Sequence, residues 1–202
     1  RSVKSFLRVP VEFEKTVKII EAGMWAPSAG NIQPWRFVLV RDKKKMEDIE
    51  RAAFQQEWVS SASFIIVVCA DLSKSKRYYG VRGERLYVVQ DCAAAIENML
   101  LEATSQDVSS CWVGAFDEDA VRMVLDIPES ARPQAIIAFG YSQEVALLPS
   151  KKEIHGVLYF EKYGEAEDKR KKIFPISEHL DRAKNSVKDK LEMIKSKLLQ
   201  KQ

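Results

Sequence analysis

The run Phe64-Ile65-Ile66-Val67-Val68-Cys69-Ala70 is the longest uninterrupted apolar stretch in the chain. It is short, rich in β-branched residues and shows no polar alternation. It therefore reads as a strand from Ser63 to Ala70 with both faces buried. Crossing a bilayer as a helix takes ~20 apolar residues, and this run is far shorter. The chain must build a sheet around it. Apolar residues make up 46% of the 202, enough for a real core and too many for a disordered chain. The length fits one large domain or two small ones.

The flanking segments alternate in type. Pro10 precedes a helical pattern through Trp25, with Phe13, Val17, Ile20 and Met24 on one side. Pro27, Gly30 and Pro34 break it. Trp35 to Arg41 reads as a strand, and Asp42 caps a charged helix to about Gln56. Residues 71–83 read as a polar, basic loop with Gly80 and Gly83. A helix follows from Glu84 to Ser105, apolar at Leu86, Val89, Ala93, Ile96, Leu100 and Ala103. Cys92, Ala94, Ala95 and Met99 widen that surface almost all round, which suits a central helix or a subunit interface. Ser110 to Ala115 is a short strand, Asp117 caps a short helix, and Pro133 to Tyr141 is a further strand. Residues 142–164 are loop-rich. From Ser177 an amphipathic helix carries Leu180, Ala183, Val187, Leu191, Ile194 and Leu198. A single sheet mixed with helices gives an α/β or α+β class.

Charge and cysteine usage exclude several functions. Of the net +3, residues 161–202 supply +4, so the basic excess lies in the tail and the remainder is near neutral. That disfavours a broad nucleic-acid face, and no segment reads as a membrane anchor or leader. Cys69, Cys92 and Cys111 sit far apart among apolar neighbours and read as buried hydrophobes. His155 and His179 form no ligand cluster with them, so no metal is expected. These features give a cytoplasmic protein.

Four segments carry candidate chemistry. Pro27-Ser28-Ala29-Gly30-Asn31-Ile32-Gln33 is a rigid loop with backbone N–H groups and two amides, each able to donate and accept. Such a loop can read a planar heterocycle. Arg1, Ser2 and Lys4 put two cations around a hydroxyl, which suits a phosphate. Trp112-Val113-Gly114-Ala115 ends a strand with a glycine that lets backbone approach a ligand. Lys151 and Lys152 offer two further cations. A basic stretch with Lys74, Lys76, Arg77, Tyr78, Tyr79, Arg82 and Arg85 is a candidate site mouth. No nucleophile–base arrangement is present in the sequence.

The first segment, continued by Pro34-Trp35, resembles the Pro-Ser-x-x-Asn-x-Gln-Pro-Trp signature of the FMN-dependent nitroreductase family. Arg1, Ser2 and Lys4 match the end of that family's Arg-Arg-Ser-x-Arg/Lys opening. Cys111 to Phe116 is similar to its Cys-Trp-x-Gly-Gly-Phe stretch, with Ala115 in place of a frequent glycine. Asp107-Val108-Ser109 stands where the family usually has Gly-Leu-Gly.

The resemblance implies an α+β nitroreductase-like fold: a mostly antiparallel sheet flanked by helices in an intertwined homodimer. It covers residues 1–164, leaving 165–202 as a helical extension. It implies FMN as cofactor and NAD(P)H as electron donor. Arg1, Ser2, Lys4 and Lys151 or Lys152 would hold the FMN phosphate end. Pro27, Ser28, Ala29, Asn31 and Gln33 would line the ring from the partner subunit. Trp112, Val113, Gly114 and Ala115 would lie beside flavin N5 and O4. Electrons would pass through N5 to a nitroaromatic, quinone, flavin or similar acceptor, with no catalytic side chain. Flavin reductases and reductive dehalogenases share the motif. A non-enzymatic FMN module and an interaction protein acting through its tail are the remaining alternatives.

Overall fold

The computed structural model describes residues 2–144 and 149–165. It falls into two compact units, residues 1–148 and 149–202. Arg1 and the amphipathic segment expected from Ser177 lie outside the described residues.

The first unit is organised by the apolar strand. It forms β2 (Phe64–Asp71), paired on one side with β1 (Trp35–Val40) and on the other with β4 (Ala131–Gly140). An edge strand, β3 (Ser109–Val113), completes the order β1-β2-β4-β3. All three pairings are antiparallel. A strand without alternation needs cover on both sides, and Phe64 through Ala70 are all buried.

The covers differ in composition. Phe64, Ile66, Val68 and Ala70 face α1 (Phe13–Met24) and α5 (Val88–Ser105) through Ile19, Cys92, Ile96 and Met99. Phe64 stacks on Phe139 across the sheet, with centroids 4.9 Å apart. Ile65, Val67 and Cys69 face α2 (Lys43–Ala52) and α6 (Glu118–Leu125) through Met46, Ile49 and Val121. The Asp42 and Asp117 carboxylates cap α2 and α6 by accepting from Lys45 N and from Asp119 and Ala120 N. Each cap satisfies donors that the first helical turn leaves open.

Two sequence expectations change. The inward face of α1 is Thr16, Ile19 and Gly23, while Phe13 and Met24 are 63% and 56% exposed. Gly23 sets this: a Cβ there would stand 2.8 Å from Met99 Cγ, so the glycine lets α1 press against α5. Half of the apolar stripe is thereby left outside. The segment expected as a loop at 71–83 is a helix, α4 (Leu72–Arg82), capped by Asp71 at Ser73 N and interrupted at Gly80. Its long basic side chains are good helix formers whose polarity suggested a loop. A π-helical turn, Gly83–Tyr87, then leads into α5. On α5, Val89 and Leu101 remain 40% and 61% exposed in the single chain.

Asp107 stands where the resembled motif has a glycine, and it takes a glycine-like backbone. Its φ of 58° is left-handed, a conformation that Asp tolerates better than most residues. In the second unit, Ile154–Gly156 forms a single 3-10 turn and Tyr159 pairs with Tyr163 at 4.8 Å. No helix among the described residues is long and apolar enough to cross a membrane.

Candidate functional site

Residues 27–33 form a tight, internally bonded loop between α1 and β1. Ser28 Oγ accepts from Gln33 N at 3.0 Å, and Asn31 N donates to Ser28 O at 2.9 Å. Gln33 Nε2 donates to Asn31 Oδ1 at 3.1 Å, so the two amides sit side by side at the surface. Gly30, Asn31 and Gln33 all have left-handed backbone, with φ of 55°, 56° and 54°. Two such non-glycine residues so close together store strain that surrounding contacts must hold. Two contacts do so. Ala29 N donates to Asp91 Oδ1 of α5 at 3.0 Å. Tyr79 of α4 presses its hydroxyl onto Gly30, where a Cβ would lie 2.3 Å from it. Pro27 is exposed, while Ser28 and Ala29 are half-buried.

A second cluster gathers around β3. Ser2 forms a parallel bridge to Ser110, and Val3 N donates to Ser110 O at 3.1 Å. Lys4 N donates to Glu144 Oε2 at 3.2 Å, and the Lys4 ammonium stands 5.6 Å from the Trp58 ring. Burial pushes the Cys111 thiol up, partly offset by the Ser2 hydroxyl and by Lys4. Farther along the strand, Trp112 is 39% exposed and the Val113 side chain is buried, so Val113 offers a ligand only main chain. Gly114 is open: a Cβ there would meet only Trp112 Nε1, at 3.9 Å. Ala115 is exposed, and its carbonyl accepts from Gln56 Nε2 at 3.3 Å.

Three contributors escaped the sequence reading. Gln56 buttresses Ala115 from a turn in which Phe54 and Gln55 both adopt φ near 56°. Neither residue type announces such a turn. Asp91 lies on the core stripe of α5 between Val88 and Ala95, and a lone acid on that stripe was the available signal. Burial pushes its carboxyl up, with the Ala29 N–H acting in the opposite direction. Glu144, beside Lys4, carries no motif. Lys151 and Lys152 are exposed residues of the second unit. Lys74, Lys76, Arg77, Arg82 and Arg85 lie on or just after α4, where Lys76 pairs with Glu84 and Arg82 donates to Tyr87 Oη.

The register separates the amide loop from the Ser2 and Lys4 end of the second cluster. Trp35 aligns with Ala70, and Ala70 with Arg132, at one end of the sheet; Ser110 aligns with Phe139 at the other. At ~3.3 Å per residue, the stretch from Arg132 to Phe139 is about 23 Å. The strands concerned, β1 and β3, are also opposite edges, roughly 14 Å apart at ~4.8 Å per strand spacing. The amide-bearing loop therefore leads into one corner of the sheet, and the basic, hydroxyl-bearing end occupies the diagonal corner. Among the described residues no group of acids, histidines and cysteines could hold a metal ion. Each of the three cysteines is unpaired and buried.

The sequence profile described as the nitroreductase family matches residues 1–64 and 53–141. The chain is 36% identical over 148 residues to a provisionally named NADH dehydrogenase/NAD(P)H nitroreductase of Archaeoglobus fulgidus, covering 71% of this chain and 82% of that protein. It is 31% identical over 171 residues to the NADH dehydrogenase of Thermus thermophilus, covering 71% and 83%. The solved NADPH:FMN oxidoreductase of Vibrio harveyi, complexed with NAD+, superposes with a TM-score of 0.75 at 24% identity, covering 82% of this chain and 75% of that one.

Proposed function

The chain belongs to the nitroreductase family, and on that premise we propose that it is an FMN-dependent NAD(P)H oxidoreductase working as a homodimer in the cytoplasm. Its acceptor class is nitroaromatics, quinones, flavins or similar small molecules. Three relatives of this chain support the cofactor by name: a NADPH-flavin oxidoreductase, an FMN reductase and an FMN-dependent nitroreductase.

The residues present fit FMN. Its ring needs mixed donors and acceptors at the edge, and the paired Asn31 and Gln33 amides supply both. The ring also needs close main-chain approach, and Gly114 leaves that space open. Its phosphate needs cations and hydroxyls; Ser2 and Lys4 supply one of each, and Arg1 would add a second cation. FMN, when bound, would supply the redox chemistry between the nicotinamide and the acceptor. The chain's residues bind, orient and tune. Main-chain N–H groups at Gly114 and Ala115 offer fixed dipoles to the ring edge, held there by Gln56. Residues 1–164 would form the flavin-binding domain, with 165–202 as an extension.

The diagonal separation of the amide loop from the Ser2 and Lys4 end carries the reading of a dimer. One chain places its amide loop and its phosphate end at opposite corners, so a flavin touching both takes one from each copy. A two-fold pair then has two equivalent sites. The exposed Phe13, Met24, Trp25 and Leu101 of α1, its C-cap and α5 give that pair an apolar surface to bury.

The absorption spectrum of the purified protein tests this. A yellow dimer bleached anaerobically by NADH or NADPH is expected. Protein that neither carries FMN nor takes it up on reconstitution would overturn the reading. Bound flavin that neither nicotinamide bleaches would overturn the enzymatic part alone.

A further inference from the structure

The loop at Ala29 hangs from a group that the core does not need. Asp91 lies near the start of α5, on the stripe with Val88, Cys92 and Ala95 that packs under the sheet. It is 6% exposed. Oδ1 accepts the Ala29 N–H at 3.0 Å, and Oδ2 is buried with no hydrogen-bond partner. Among the described residues Asp91 bonds to nothing else. A buried carboxyl with one oxygen unpaired is costly, and an apolar residue of the same size would suit the stripe better. The cost has to be offset by what the bond to the loop achieves.

Ala29 opens the turn that contains Gly30 and Asn31, directly after the extended Ser28 at φ −143°. Fixing Ala29 N therefore fixes where the chain enters the left-handed residues Gly30, Asn31 and Gln33. Tyr79 bears on the same turn from α4. We propose that Asp91 is a positioning residue for the flavin ring, holding the 28–33 loop through Ala29 so that the Asn31 and Gln33 amides face the ligand in one arrangement. The proposal rests on reading the site as a flavin site. It adds a second consequence of α5: the helix that packs on the sheet also sets the geometry of the ring-reading loop.

The experiment measures flavin affinity by fluorescence quenching for full-length wild type, Asp91→Asn and Asp91→Leu, each with FMN and with riboflavin, which has the ring but no phosphate. The Asn variant keeps an acceptor for Ala29 N, and the Leu variant keeps the branched shape without one. Asp91→Leu should weaken both flavins by the same factor, about tenfold for one lost tie. Asp91→Asn should stay within about twofold of wild type, because its Oδ1 still accepts. Lys4→Ala should weaken FMN alone. If the Leu variant does not fold, Asp91→Ala replaces it. Wild-type affinity in Asp91→Leu, a loss of FMN binding that spares riboflavin, or an Asn variant as weak as Leu would overturn the proposal while leaving the flavin site intact. Wild type that binds neither flavin would remove the site itself, and the proposal with it.

Discussion

Gly30→Ala is the most informative single change, because two separable penalties meet there. The first is backbone. Gly30 has φ 55°, and a non-glycine residue held left-handed costs about 1–2 kcal/mol. The second is contact. The new Cβ would stand 2.3 Å from Tyr79 Oη, so the ring must move. Moving it disturbs the edge-to-face pairing of Tyr79 with Tyr87, whose centroids are 5.3 Å apart, and such pairs contribute roughly 0.5–1.5 kcal/mol. Together the penalties reach about 2 kcal/mol, or roughly thirtyfold in affinity. The loop is a surface element held by a few bonds, so the strain should relieve itself by local opening. It should therefore appear in the FMN dissociation constant far more than in the melting temperature. A double-mutant cycle separates the two parts. In a Tyr79→Ala background the contact penalty disappears, leaving only the backbone share of about 1 kcal/mol. Titration of apoprotein with FMN, for wild type, both single variants and the double variant, gives all four numbers. Wild-type affinity in Gly30→Ala, or an identical penalty with and without the Tyr79 ring, would refute the reasoning.

Three further outcomes follow from the same contacts. Asp117→Ala removes the acceptor for Asp119 N and Ala120 N at 3.0 Å each, and urea unfolding should register a loss of about 1 kcal/mol; no change would contradict the capping account. Burial pushes the Cys69 and Cys92 thiols up to about 11 and about 12, so neither should react with a thiol reagent near neutral pH until the protein is unfolded. Burial also raises the Asp91 carboxyl above its ordinary value, so wild-type stability falls as pH rises from about 4 through the raised folded value. Asp91→Asn cannot ionise, and its stability relative to wild type should grow across that window and then level off; a flat or falling difference would contradict the assignment.

What was legible in the sequence follows from how local each cause is. The Phe64–Ala70 strand needed only its own composition, and the caps at Asp42 and Asp117 needed only the residues just beyond them. The loop from Pro27 to Gln33 was legible as an ordered string of residue types, although its left-handed backbone was not. The misread parts depend on distant partners or on side chains that mask the element they form. The inward face of α1 is decided by how Gly23 meets Met99, 76 positions along the chain. The helix at Leu72–Arg82 hides behind basic residues and the break at Gly80. Gln56 reaches Ala115 only because Phe54 and Gln55 bend the chain in a way that their side chains do not advertise. Asp91 was visible as a charge on an apolar stripe, but its partner Ala29 lies on another element.

Mixed dimers test the two-chain site most directly. One protomer carries Ser2→Ala with Lys4→Ala, disabling its phosphate end, and the other carries Asn31→Ala with Gln33→Ala, disabling its ring-reading loop. Each homodimer should bind FMN poorly, because every site in it lacks one half. In the mixed dimer one site gathers both defects and the other gathers none, so bound FMN should return to about one per dimer. Mixed dimers as empty as either parent would contradict the account, since both halves of each site would then come from a single chain.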